Sequence, residues 1–174
     1  MKGLNYKKML KFVTLLVTSL LIGTASATVY RYMYIRGSGG ITIGGLKWEP
    51  GANFPQGASV QGAYVNNLNF SVPKNSILNI TDCLRIVNQD NKQYTFKLEV
   101  TTVGGDPSNF TKFDLVVYNN STGAVLDRLN LKAQGSTSDI SIGASETLYI
   151  RFEIETAVDA ESGYFYFTVK LTYW

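Results

Sequence analysis

The 174-residue chain contains no histidine and one cysteine, Cys83. Without imidazole there is no His-based triad, no HExxH zinc site and no His-ligated metal. One cysteine makes neither a CxxC redox pair nor an internal disulfide. No Lys or Arg lies closer in sequence to Cys83 than Arg85, so it reads as a small, buried or half-buried strand residue rather than an activated thiol. Glu153 and Glu155 alternate onto one face of TLYIRFEIET, a spacing open to a glycosidase pair. No neighbouring residue type points to a tuned pKa there. Asp106, Asp114 and Asp127 lack the spacing of a calcium loop. The Gly-rich stretches at 37–40 and 44–45 lack the Lys-Ser/Thr ending and the following helix of a phosphate loop. These absences predict a non-enzyme with no cofactor and no metal.

One surface motif recurs. Asn69, Asn79, Asn109, Asn119 and Asn120 each begin an Asn-x-Ser/Thr triplet with no Pro in the middle. All five are candidate glycan acceptors, in slight excess over chance. Asn109, Asn119 and Asn120 fall in expected turns, whereas Asn69 and Asn79 fall inside strand patterns. Aromatic residues offer a second surface chemistry: Trp48, Trp174 and the Tyr164/Tyr166 face are candidate stacking platforms for sugar, although cross-strand packing or subunit contact is the favoured role.

The first 27 residues have a different character. Lys2, Lys7, Lys8 and Lys11 precede the apolar run Phe12 to Ile22, and Ala25-Ser26-Ala27 follows. This order predicts a secretory signal peptide (1–27) cleaved between Ala27 and Thr28. The apolar run is much shorter than the about 20 residues of a spanning helix, so membrane contact is expected only during export. The formal charge of +3 rests on this leader. Without its four lysines, 12 basic residues face 13 acidic ones, a net charge of about −1. No basic cluster is left to mark a nucleic-acid footprint.

Downstream, the hydrophobic period is two almost everywhere. Leu148, Ile150, Phe152 and Ile154 alternate with polar residues, as do Phe165, Phe167, Val169, Leu171 and Tyr173. Tyr94, Phe96, Leu98 and Val100 form a third set; Leu78, Ile80, Leu84 and Ile86 form a fourth, interrupted by Asp82. Such runs are strands with one face on a core. Weaker candidates are 41–48, 60–72, 112–119 and 124–133, separated by turn signals. Eight to ten short strands without a helical repeat predict an all-β, jelly-roll-type β-sandwich over residues 41–174.

Ahead of it stands TVYRYMYIRGSGG, residues 28–40. Val29, Met33 and Ile35 lie on one face with Arg31; Tyr30, Tyr32 and Tyr34 lie on the other. A strand apolar or aromatic on both sides needs cover on both. Gly37, Ser38, Gly39 and Gly40 form a hinge behind it. The strand either folds back into its own domain or fills a missing strand position in another copy, as in donor-strand complementation.

The layout resembles the TasA/camelysin class of secreted biofilm-matrix fibre proteins, and within it the archaeal bundling pilins. The similar stretches are the ASA site with the aromatic strand after it, ITIGGLKWEPG (41–51), residues 72–100, and the closing pair 146–156 and 163–174. The resemblance implies a jelly-roll subunit whose N-terminal strand inserts into an identical neighbour, building an extracellular filament at the cell surface. It also implies neighbouring filaments as partners in a biofilm matrix. Camelysins are described as proteases, a property for which this histidine-free chain offers no residues. Two other readings stand beside it. One is a monomeric secreted or surface-layer carbohydrate-binding sandwich. The other is a type IV pilin that retains its N-terminal helix, against which the short apolar run and the later ASA site speak.

Overall fold

The computed structural model describes residues 31–34, 45–61 and 63–174. The leader with its Ala27/Thr28 junction, Val29, Tyr30, Ile35 and the hinge Gly37–Gly40 lie outside the described residues. The described strands are β1 (Arg31–Tyr34), β2 (Leu46–Pro50), β3 (Ser59–Gln61), β4 (Tyr64–Asn66), β5 (Ile77–Asn88) and β6 (Tyr94–Gly105). They continue with β7 (Phe110–Tyr118), β8 (Val125–Asn130), β9 (Gly135–Ser136), β10 (Ile140–Ile142), β11 (Thr147–Thr156) and β12 (Phe165–Tyr173). One sheet runs β10-β6-β12-β1-β4-β3, with β9 also on β6; the other runs β2-β5-β11-β7-β8. The protein is an all-β sandwich, as the two-residue period predicts.

The alternation explains the core. In β11, Leu148, Ile150, Phe152 and Ile154 are buried while their neighbours face outward. They meet Phe96, Leu98 and Val100 of β6 and Val169, Leu171 and Tyr173 of β12 in one cluster. Trp48, Tyr173, Phe96 and Phe152 are its largest fully buried side chains. Each contributes on the order of 1.5–3 kcal/mol by leaving water. Trp48 therefore belongs to the core and cannot be a stacking platform. Gly45 (φ 97°) lies against the Tyr173 ring, and a Cβ there would collide with the Tyr173 hydroxyl.

Three local departures from the sequence pattern have physical causes. Asp82 takes φ 46°, and the β5–β11 register shifts between Ile150 and Phe152, so both Cys83 and Leu84 turn inward. The span 60–72 is not one strand. It holds the β3–β4 pair, after which Asn67 at φ 55° ends the ladder and residues 67–76 run on irregularly. The short β9 and β10 escape the period-two test because two or three residues are too few to establish a period, although β10 does alternate, with Ser141 exposed between buried Ile140 and Ile142.

The sandwich has two distinguishable ends. β11 leads through 157–164 into β12, so Thr156, Tyr164 and Phe165 share one end; Ile77 joins them through its register with Glu155. Gly45, Asn88, Gln89 and Trp174 mark the opposite end, where Gln89 N–H donates to Gly45 O and Trp174 pairs with Thr95.

Candidate subunit-interaction site

The strand expected to leave its domain is, over Arg31–Tyr34, paired within the same chain. β1 runs antiparallel to β12, from Arg31↔Tyr173 to Tyr34↔Lys170, and parallel to β4 at Tyr34↔Tyr64. The β1–β4 contact is the one parallel pairing among the described residues. β1 bridges two pieces of its sheet. Without it, the β10-β6-β12 part and the β4-β3 part each present an unpaired edge, a state that exposes N–H and C=O groups.

The slot continues past β1. Among the described residues, Phe165–Val169 of β12 has a ladder partner only on the β6 side. Across from it, the segment after β4 brings Leu68, Phe70 and Val72 opposite Phe165 and Phe167, around a groove of about 310 Å³. Its floor is aromatic: Phe113 stands 5.4 Å from Phe165 and 5.5 Å from Phe167, ring centre to ring centre. Thr156 holds the far end of this segment, its hydroxyl donating to Pro73 O (2.8 Å) and accepting from Ser76 N–H (2.9 Å).

Of the carboxylates singled out in the sequence, Glu153 and Asp127 are tied into ion pairs and hydrogen bonds. Glu153, on the outer face of the five-stranded sheet, accepts from Lys112 (2.5 Å) and Arg128 (2.6 Å) at one oxygen and from Arg151 (2.8 Å) at the other. Burial raises its pKa, but these three donors outweigh burial and bring it to about 2. With both oxygens engaged, it is a hub for three cations. Across the strand pair, Asp114 is pushed up by burial, which the nearby cations only partly offset. Glu155 lines the same shallow groove as Glu153, with Ile77, Asn79 and Thr81. Asp127 lashes the β8–β10 connection by accepting from Ser138 N–H and Oγ. Asp82 grips Arg85 through both oxygens, at 2.8 and 2.7 Å, and the guanidinium holds its carboxyl below the usual range. Arg85 in turn lies over the Tyr149 ring at 5.1 Å. Cys83 is fully buried, and burial, helped by the Asp82 charge, pushes its thiol up to about 12. No group of three or more metal-ligating side chains occurs among the described residues.

The five glycan triplets separate by environment. Asn69, Asn79 and Asn120 are exposed. Asn119 is committed, its Oδ1 accepting from Ser121 and Thr122 N–H and its Nδ2 donating to Glu146. Asn109 accepts from Glu161 N–H through Oδ1. Turn position favours Asn109, Asn119 and Asn120; engagement of Nδ2, the atom that would carry a sugar, sets Asn119 apart from the others. Tyr164, Tyr166 and Trp174 are exposed, and the two tyrosines are stacked, their rings 6.2 Å apart and 16° from parallel.

No helix among the described residues is long and apolar enough to cross a membrane. Neither a protein-family model nor a curated protein matches the chain.

Proposed function

We propose that the chain is a secreted structural subunit of an extracellular homopolymer, a pilus-like or biofilm-matrix fibre, in which the N-terminal strand of one copy completes the jelly-roll-type sandwich of the next. The observation that carries this reading is the position of β1: a short strand inserted between β12 and β4, parallel to one neighbour and antiparallel to the other. Backbone ladders on both sides pair this strand, and they are available equally to a strand from another copy. Residues 35–44, ten positions that include Gly37-Ser38-Gly39-Gly40, separate it from the body. A Gly/Ser-rich linker of this kind allows exchange at little conformational cost. In an isolated subunit the strand occupies its own slot; in the fibre the same slot takes the neighbour's strand. Filling it in trans hides apolar surface at ~25 cal/mol per Å² and closes two backbone edges together. This gives a chain without disulfides its cohesion.

The expected protein begins at Thr28, has no peptidase or glycosidase activity and withstands chelators as a fibre. Deletion of residues 28–36 should abolish fibres seen by negative-stain microscopy. Addition of a peptide of those residues to the intact chain should slow fibre growth by competing for the slot. Fibres that form from the deleted chain as from the wild type contradict the proposal.

A further inference from the structure

The direction of β1 fixes how successive subunits meet, given the strand-exchange reading above. A strand held in the observed register runs from Tyr173 toward Lys170, so its continuation leads toward Phe165 and the end of the sandwich that bears Tyr164. In trans, that continuation leads to the donor's own body, which begins at its Gly45. Gly45 lies at the opposite end, beside Gln89 and the Tyr173 ring. The donor therefore presents its Gly45/Trp174 end to the acceptor's Tyr164 end.

The linker length makes this a contact rather than a mere alignment. Ten residues reach at most ~36 Å. Passing the five positions of β12 from Val169 to Phe165 uses ~16 Å of that. The remaining ~20 Å must lead from the acceptor's end to the donor's Gly45, which brings the two bodies together. The acceptor's end carries the three most exposed large hydrophobic side chains among the described residues: Ile77 (72% exposed), Val158 (71%) and Tyr164 (75%). Their exposure has no explanation within one subunit and is relieved by a second copy at this place.

We infer that Ile77, Val158 and Tyr164 form a head-to-tail docking surface for the Gly45/Trp174 end of an identical subunit, the second contact of the fibre beside the inserted strand. A heterologous contact of this kind does not close on itself and so supports open growth.

Native lysines mark both ends. Lys74 lies at the Tyr164 end, against Tyr164 and Ser162 in one groove, and Lys92 lies at the other, over the Tyr94 ring. Fibres co-assembled from heavy- and light-isotope wild-type chains, treated with a short amine cross-linker, should yield mixed-isotope Lys74–Lys92 or Lys74–Lys47 peptides. Mixed-isotope links joining Lys74 to Lys74, or only lysines of the sheet faces such as Lys97 and Lys112, overturn the inference. Val158→Asp should raise the critical concentration for assembly about tenfold, equivalent to ~1.4 kcal/mol, with the melting temperature of the subunit unchanged. Wild-type assembly by that variant overturns it as well. A cysteine pair across β1 and β12 reads strand exchange separately. Inter-subunit cross-links there without Lys74–Lys92 or Lys74–Lys47 links sink this surface alone; their absence sinks the exchange reading beneath it.

Discussion

Glu153→Gln should unmask how much the charged outer face contributes to the fold. The native carboxyl, at about 2 against an ordinary 4.5, implies at most ~3 kcal/mol of linked stability. Two of its three cations are well exposed, Lys112 at 40% and Arg128 at 45% of their side chains. Solvent screening brings the expected loss to about 1–2 kcal/mol. For a domain of this size that is a drop of about 2–4 °C per kcal/mol in melting temperature. A depressed carboxyl stabilises above the unfolded-state value and loses that contribution as pH falls from about 4.5 toward 2. Asp114, raised by burial, acts with the opposite sign, but it is common to both proteins and largely cancels in their difference. Urea unfolding of subunits held unassembled at low concentration, run from pH 7 to pH 2, should show a Glu153→Gln deficit that is full at pH 6 and vanishes near pH 2. A deficit independent of pH, or none at pH 6, would refute the assignment of Glu153 as an ionised hub.

Further outcomes follow from other parts of the fold. Cys83, buried with its thiol pushed up to about 12, should resist alkylation by iodoacetamide in the folded subunit and react fully in denaturant; rapid native labelling would place it at the surface. Asn88→Ala removes donors to Lys92 O (2.7 Å) and Gly143 O (2.6 Å) from a nearly fully buried site, and should cost about 1–3 kcal/mol by urea melts, with the 89–93 loop becoming an early trypsin target. Peptide mapping of secreted protein should find no sugar on Asn119, whose Nδ2 donates to Glu146; glycan there would contradict that bonding.

Much of the sandwich was legible because its long strands carry strict alternation. TLYIRFEIET coincides with β11, and the buried face of β6 over Tyr94–Val100 is the one its sequence predicts; β12 follows its pattern except at the bulge where Thr168 is buried beside Val169. Burial on one face imposes this period and nothing local opposes it. For Trp48 the packing role favoured over a sugar platform holds: it is buried in the core beside its strand partner, Ile86 of β5, a pairing the sequence does not reveal. The Glu153 hub was hidden because Lys112, Arg128 and Arg151 come from three strands, two of them distant in sequence. Alternation places each on the outer face but does not set the register that gathers them. Turn position alone does not distinguish the asparagines by environment: the Nδ2 of Asn119 donates to Glu146, a partner distant in sequence. The two-sided apolar character of residues 29–35 gave the need for cover, while the edges that supply it, β12 and β4, emerge only from the register.

The central claim, that this slot is filled by a strand from another copy, can be read from one gel. Tyr32 and Thr172 face each other as Cα partners across β1 and β12. Directly opposed antiparallel residues stand ~4.5–5.5 Å apart, within the Cα range of a disulfide. Fibres of the Tyr32→Cys/Thr172→Cys chain, oxidised and run denatured without reductant, should give a ladder of covalently linked multimers that collapses to one band on reduction and is absent from either single variant. If the oxidised fibres instead run wholly as monomer, with the bond formed inside each chain, the strand stays at home and the account is wrong.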